Sequence, residues 1–452
     1  MTEILMQVVP VHPTNPKAIW CEHCEVWCRS ESAFIHHKKG RKHLQPKITV
    51  DHIYNIMFGV DIIKNHEKEK DWKAAIKAML EKKREMKLNA KSLFKKYGKK
   101  RATNVSSSPS VTTTSKVLLY YKYIDIENLD GLHEWQKALG GLLNLCGRIR
   151  IGKEGINGTI SGSDVSIMLY IEAMKYNIVW KSFFNDIDFK ESNNNNTNNA
   201  FSNFWVRQCK EIVVMGQDPD IITASNGGIH LKPKEFHEQL LSNMNTNLNN
   251  NDKKNKNPNQ EVALLDVRNL YESAIGTMKG AIRLPTRHFS EFPKIADKLI
   301  EQENLKNKNV YMYCTGGIRC ERASAYLISK GVQNCFQLEG GIHRYVEQLG
   351  KDGLFQGKNF VFDRRISSER VGDNIIGKCT VCKIASVDKY VSDYTCDKCG
   401  VWILVCTNCQ ENLKHKKRKL NHDDDRKEEE EVTTTDTNAY YCEYCLIHKS
   451  EN

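Results

Sequence analysis

Ten of the sixteen cysteines in this chain of 452 residues fall into five Cys-x2-Cys pairs, and the pairs sit towards its two ends. Two thiolates at that spacing can hold one metal ion from a single tight turn, so a short segment can fold around a metal where it lacks a large apolar core. The first pair, Cys21 and Cys24, is followed by His37 and His43, with Trp27 and Phe34 between as a small core. Two thiolates and two neutral imidazoles suit one tetrahedral zinc ion. The other four pairs are Cys379 and Cys382, Cys396 and Cys399, Cys406 and Cys409, and Cys442 and Cys445. They suffice for two further zinc ions with four thiolates each, paired either sequentially or in an interleaved way. Disulfides are the alternative. The start, Met1-Thr-Glu-Ile-Leu, lacks a basic region and no arginine precedes Arg29, so neither a secretory nor a mitochondrial signal is expected. Metal binding in a reducing, cytoplasmic setting is the reading.

One cysteine stands apart. Cys314 opens the run Cys314-Thr-Gly-Gly-Ile-Arg319, after the apolar Val310-Tyr-Met-Tyr313 and before a helix-compatible segment reaching Lys330. Between a strand and a helix N-terminus, backbone N–H groups converge and the helix dipole favours thiolate over thiol. Gly316 and Gly317 let the loop curl so that its amides, with those of Thr315 and Ile318, cradle an anion or the sulfur itself. Arg319 adds a fixed charge and planar donors. A cysteine merely packed at a strand end fits poorly with two glycines and an arginine in one loop. The spacing resembles the rhodanese active-site loop. Related phosphatase loops are one residue longer, so sulfur chemistry with a sulfane-sulfur donor is favoured over phosphate chemistry. Asp266 and Arg268 follow another candidate strand and are expected below the loop as supports, with an Arg268–Glu272 ion pair an equal alternative. Cys320 more often packs in the first helical turn than resolves a persulfide or sulfenate.

The chain is too long for one core and predicts several domains. A formal net charge of +12 biases it towards polyanions, and no apolar run is long enough to predict a membrane span. After the finger at residues 18–46, residues 47–101 read as basic helices and 102–115 as a Ser/Thr-rich linker. Residues 116–216 show strand, helix, two strands, helix and a closing strand at Trp205 to Met215, the order of a ferredoxin-like domain. Residues 217–357 alternate short apolar strands with helices, a parallel α/β sheet with Cys314 at the carboxyl end of one strand. Asn193–Asn199 and residues 243–260 are Asn-rich insertions placed in loops. Residues 358–452 are the cysteine-rich tail. Its insertion at 413–438 carries Lys414-His-Lys-Lys-Arg-Lys419, a candidate nuclear signal for which a solvated tether is the favoured reading. The fold class is therefore multidomain α/β and α+β.

Residues 116 to 445 resemble one family, the rhodanese-domain tRNA uridine hydroxylases of bacteria and their eukaryotic relatives. The matching stretches are Arg148-Ile-Arg-Ile-Gly-Lys-Glu-Gly-Ile-Asn-Gly-Thr159, Leu265-Asp-Val-Arg268, Tyr271-Glu272 and Gly280-Ala-Ile282. Tyr313-Cys-Thr-Gly-Gly-Ile-Arg-Cys-Glu321, Leu338-Glu-Gly-Gly-Ile342 and Asn359-Phe-Val-Phe-Asp363 continue the series. The resemblance implies oxygen-dependent 5-hydroxylation of the wobble uridine of tRNA, with Cys314 the essential cysteine. Lys153, Glu154 and Asn157, in a Gly-rich turn, are then expected to face the RNA. The N-terminal finger lies outside the match and resembles the matrin type, which implies RNA contacts from Lys39, Arg41 and Lys42. The competing readings are a thiosulfate-type sulfurtransferase carrying a Cys314 persulfide and a non-catalytic zinc-dependent RNA-binding or scaffold protein. Oligomeric state is not legible in the sequence.

Overall fold

A computed structural model of the chain describes residues 19–21, 26–28, 49–59, 68–81, 115–194, 200–249, 261–391, 393–412 and 440–448, the backbone alone for 19–21, 26–28 and 243–249. The chain divides into two units, Met1–Ser106 and Ser107–Asn452. In the first, β1 (Ile19–Cys21) and β2 (Val26–Cys28) pair antiparallel with Cys21 opposite Val26. The remaining finger ligands Cys24, His37 and His43, and the basic Lys39, Arg41 and Lys42, lie outside the described residues. Helix α1 (Val50–Phe58) starts at Thr49, whose hydroxyl accepts from the His52 N–H at 3.1 Å. Its buried Ile53, Tyr54, Met57 and Phe58 recur at three- and four-residue spacing, and Phe58 stacks at 4.3 Å on Trp72 of α2, residues 69–81.

The second unit begins with β3 (Ser115–Tyr123), α3 (Leu129–Leu142), β4 (Cys146–Gly152), β5 (Gly155–Ser163), α4 (Asp164–Tyr176), β6 (Lys190–Asn194) and β7 (Phe204–Gln208). The sheet runs β6-β3-β5-β4-β7, and its first four strands have the ferredoxin-like order. This corrects the sequence reading. The strand that closes the motif is β6, antiparallel to β3 with Lys190 opposite Leu119, while β7 runs parallel to β4 on the far edge. Asparagine is a poor strand former, but the ladder pairing with β3, from Ser115 opposite Asn194 to Leu119 opposite Lys190, outweighs local preference. So Asn193 and Asn194 are strand, not loop.

Next come β8 (Ile229–Leu231), α5 (Pro233–Asn249), β9 (Val262–Asp266), β10 (Gly276–Met278), β11 (Ile282–Arg283), α6 (Phe292–Gln302) and β12 (Asn309–Tyr313). Helix α7 (Ile318–Ser329), β13 (Asn334–Leu338) and α8 (Gly341–Leu349) complete this layer. The five strands are all parallel, in the order β11-β9-β12-β13-β8. Along the central β12, Val310 and Met312 pack with Phe292, Ala323 and Leu327, whereas Tyr311 and Tyr313 face Phe236, Leu338 and Tyr345. Both faces are therefore covered, as a parallel sheet requires. Helix α5 runs to Asn249, so the start of the second Asn-rich insertion is helical, not loop. A helix already begun on Pro233 extends through asparagine at small cost.

Strands β14 (Phe355–Phe360) and β15 (Ser367–Val371) join β10 in a small antiparallel sheet. Beyond it the described tail has little regular structure. Phe360, Ile275, Tyr390 and Leu404 form the apolar seam that docks it on the α/β layer.

Candidate active site

Cys314 leaves β12 fully buried. Gly317, at φ +106, ends the loop and donates its N–H to the Cys314 sulfur at 3.2 Å. The loop's carbonyls are turned away from the sulfur by the N-terminus of α8. Ile342 N–H donates to the Cys314 carbonyl at 2.9 Å and His343 N–H to that of Thr315 at 3.1 Å. Such an approach needs Gly341, which sits at φ +62; a Cβ there would lie 2.6 Å from the Cys314 carbonyl oxygen and 2.8 Å from the nitrogens of Gly316 and Gly317. The sequence reading used the Gly340-Gly341 pair only as a family match and missed this contact.

Burial alone would raise the Cys314 pKa, but a hydrogen bond from the Cys320 thiol, the Arg319 charge and the N–H groups of Arg319 and Gly317 together bring it down to about 5. Cys314 is then a thiolate at neutral pH. Burial and the bond to Cys314 keep Cys320 protonated, which makes it a donor beside the nucleophile.

The supports differ from expectation. The donors of Arg319 are spent on Glu272, in a buried bidentate pair with Nη1–Oε1 2.6 Å and Nη2–Oε2 2.8 Å; Nη2 also reaches Thr315 Oγ1 at 3.2 Å. The guanidinium therefore supplies charge to Cys314 and rigidity to the loop, not a free fork for an anion. Glu272 belongs to Arg319, not to Arg268, because the Asn269 N–H, 3.0 Å from Oε1, fixes the carboxylate in that direction. Arg268 pairs instead with Asp266 at 2.8 and 2.6 Å and bonds the Gly276 carbonyl at 2.7 Å. Asp266 also accepts from Tyr313 Oη at 2.9 Å, so this pair braces the end of β12 one residue before the nucleophile.

The ferredoxin-like domain closes the loop. Alternate side chains of β3 face it: Tyr121 Oη donates to Glu321 Oε1 at 3.0 Å and Tyr123 Oη to the Ile318 carbonyl at 3.4 Å. A Cβ on Gly316 would lie 2.9 Å from Leu119, and one on Gly317 2.6 Å from Tyr121 Oη. Lys190, opposite Leu119, is buried, with its ammonium 2.7 Å from Asp188 and 5.4 Å from the Tyr121 ring centre. Burial lowers its pKa, while Asp188 and the Cys314 thiolate favour its charge. None of these was singled out from sequence: the tyrosines read as strand, and Lys190 heads an Asn-rich stretch. Beside them lies a cleft of about 1160 Å3, lined among others by Tyr121, Lys153, Lys190, His230 and Glu321. Of the three residues expected to face RNA, Lys153 and Glu154 line this cleft, the first exposed and the second half-buried, and Asn157 is not among its lining. Glu154 accepts from the Ile212 N–H at 2.7 Å and Asn157 donates to the Ile212 carbonyl at 2.9 Å, which satisfies backbone groups of the segment joining the two domains.

In the tail, Cys379, Cys382, Cys406 and Cys409 form one group and Cys396, Cys399, Cys442 and Cys445 another, each with its sulfurs within 4.8 Å. The pairing is thus interleaved. Sulfur separations of 3.9 Å (Cys382–Cys406) and 3.6 Å (Cys399–Cys442) are too long for a disulfide. They match the roughly 3.8 Å edge of a tetrahedron of thiolates about 2.3 Å from a zinc ion. The N–H groups of Cys406 and Cys442 also point at the sulfurs of Cys379 and Cys396, both at 3.3 Å. Each group can hold a metal ion.

A parallel sheet with an amide-cradled thiolate at the end of its central strand defines a rhodanese-like protein. Three family profiles match in series: the UPF0176 acylphosphatase like domain over residues 115–212, the Rhodanese-like domain over 248–348 and the Rhodanase C-terminal over 356–419. The chain belongs to the tRNA uridine(34) hydroxylase family. It is 36% identical over 266 residues to the protein of that name from Enterococcus faecalis, 58% of this chain and 76% of that one. It is 33% identical over 314 residues to that of Corynebacterium glutamicum (strain R), 68% of this chain and 93% of that one. It is also 38% identical over 309 residues, 65% of its length, to the Rhodanese-like domain-containing protein 6 of Arabidopsis thaliana, of whose length it spans 50%.

Proposed function

We propose that the chain is a tRNA-modifying enzyme that hydroxylates C5 of the wobble uridine, with Cys314 as nucleophile. The observation that carries this reading is that the activated thiolate is enclosed jointly by the ferredoxin-like and rhodanese-like domains, whose profiles match this chain in series, in a chain whose relatives are named for uridine 34 of tRNA. A small sulfane donor needs only the loop, whereas a nucleoside in RNA needs a second wall and a cleft, and the ferredoxin-like domain supplies both. An unpaired anticodon base can be splayed into such a cleft. In the site, Cys320 and the loop amides hold the thiolate, Arg319 balances its charge, and Tyr121 and Lys190 exclude water. Zinc is the metal that fits the two four-cysteine groups, and its part would be structural. A third zinc in the N-terminal finger, RNA contacts from that finger and a cytoplasmic location complete the proposal.

Mass spectrometry of tRNA nucleosides from cells lacking the protein tests it. 5-Hydroxyuridine derivatives should fall and return with the intact chain but not with Cys314→Ser; unchanged derivatives in the deletion would overturn the reading. The four-residue gap between Cys314 and Arg319 favours one alternative, a sulfurtransferase. There the thiolate attacks the outer sulfur of thiosulfate, sulfite leaves with the electron pair, and cyanide then takes the terminal sulfur as thiocyanate and restores the thiolate. Absence of both thiocyanate and a Cys314 persulfide would remove it.

A further inference from the structure

The motif Asn359-Phe-Val-Phe-Asp363 has no role so far. Phe360 is buried in the seam under the tail, but Phe362, two residues on, is 49% exposed and is the one aromatic side chain left open among the described residues. It is held there rigidly. Val361 N–H donates to the Ile366 carbonyl at 2.9 Å and Ile366 N–H to that of Asp363 at 2.9 Å, closing a tight turn. Asp363 accepts from the Arg365 N–H at 2.9 Å and from its Nε and Nη2 at 2.8 and 2.6 Å. Ile366 adopts φ +66, a conformation β-branched residues rarely take, so the turn is kept against local strain. Arg364 N–H to the Ala200 carbonyl, 3.0 Å, and Arg365 Nη1 to Ser192 Oγ, 2.8 Å, tie the turn to the ferredoxin-like domain.

The turn sits at the catalytic loop. The Phe362 ring lies 5.8 Å from the guanidinium carbon of Arg319, and its edge is supported by Phe360 at 5.3 Å. Arg364 beside it is exposed, and its guanidinium has no partner among the described residues. An open aromatic face backed by one cation and flanked by another is built for a planar group attached to an anion. That is what an unpaired nucleotide presents.

We infer that Phe362 is a stacking platform for an unpaired base of the RNA whose target nucleoside reaches Cys314, and that Arg364 takes an adjacent phosphate. The inference rests on the proposed function for the identity of the RNA. The base on Phe362 flanks the reacting uridine: one side chain at the rim cannot hold the nucleoside that must enter the enclosed loop. The strain at Ile366 and the bonds to Ala200 and Ser192 then have a purpose, to fix the platform at the height of the loop.

The test measures the affinity of the full chain, in a Cys314→Ser background, for an anticodon stem–loop RNA with a wobble uridine. Phe362→Ala should weaken binding about tenfold, the size of one lost base stack, and Phe362→Tyr or Phe362→Trp should restore it. Arg364→Gln should flatten the dependence of log affinity on log salt by about one charge. Unchanged affinity in Phe362→Ala, weakening that Tyr and Trp do not rescue, or no binding of this RNA at all would each overturn the platform. Because binding is read without turnover, a nucleoside analysis that contradicts hydroxylation leaves this result standing on its own, and an intact hydroxylase with normal Phe362→Ala affinity sinks the platform alone.

Discussion

Cys314 and the tail cysteines Cys379 and Cys396 are all sulfurs at which backbone N–H groups point, at 3.2 to 3.3 Å for Gly317 onto Cys314, Cys406 onto Cys379 and Cys442 onto Cys396. What separates them is the source of positive charge. Cys314 draws it from Arg319, which Glu272 fixes, and from a loop shaped by Gly341 and covered by Tyr121. Those parts come from segments more than 200 residues apart, so a finished fold makes the thiolate. In the tail, each group of four sulfurs lies within 4.8 Å, and Ile403 and Val405 are the buried apolar side chains clustered with them, the rest being partly buried. There, with the proposed zinc bound, the sulfurs would make the fold. Cys314 is a product of structure, and on that proposal the tail cysteines are its cause.

Removing the proposed zinc should break this contrast most severely. Chelation, or Cys396→Ser, should release the tail from its fold, since structural zinc contributes roughly 10–16 kcal/mol in small domains. Limited proteolysis within residues 372–448 reports it, while Cys314→Ser should leave that cleavage pattern as it was. Next in size is Glu272→Gln, which leaves the buried Arg319 without its carboxylate and should cost about 3–5 kcal/mol in urea unfolding. Gly341→Ala comes third. It places a methyl against three atoms of the loop at a positive φ, for about 1–3 kcal/mol of stability and a larger loss of turnover. Tyr121→Phe is the mildest, removing one bond to Glu321 worth about 0.5–1.5 kcal/mol. If Tyr121→Phe proved as damaging as Glu272→Gln, the covering domain would be part of the charge balance and not only a wall.

Much of this site could be read from residues close in sequence. The loop from Cys314 to Arg319 has its strand before it and its helix after it, and the tail's sulfurs announce themselves by spacing. The parallel sheet followed from short apolar runs between helices. What could not be read depends on pairing across distance. Glu272 and Arg319 are ordinary charges until folding buries both, and Asp266 is as plausible a partner for either arginine. Lys190 and Asn194 lie where composition argues for a loop, and only the ladder with β3 makes them strand. Sequential and interleaved cysteine pairing have the same spacing, and the tail's path alone decides between them. Glu154 and Asn157 read as a polar turn for a ligand; that both also bond the Ile212 backbone depends on a segment more than 50 residues away.

The claim on which the rest depends is that the loop from Cys314 to Cys320, buried under the ferredoxin-like domain, holds Cys314 as a thiolate. Its folded pKa, about 5, lies below the ordinary 9.0, so its contribution to stability is complete above the ordinary value and is lost as pH falls through the folded one. Thiolate ultraviolet absorbance, titrated as the difference between the protein and Cys314→Ser at equal metal content, measures it directly. The account predicts a midpoint near pH 5. A midpoint near the ordinary thiol value of 9.0 would contradict it.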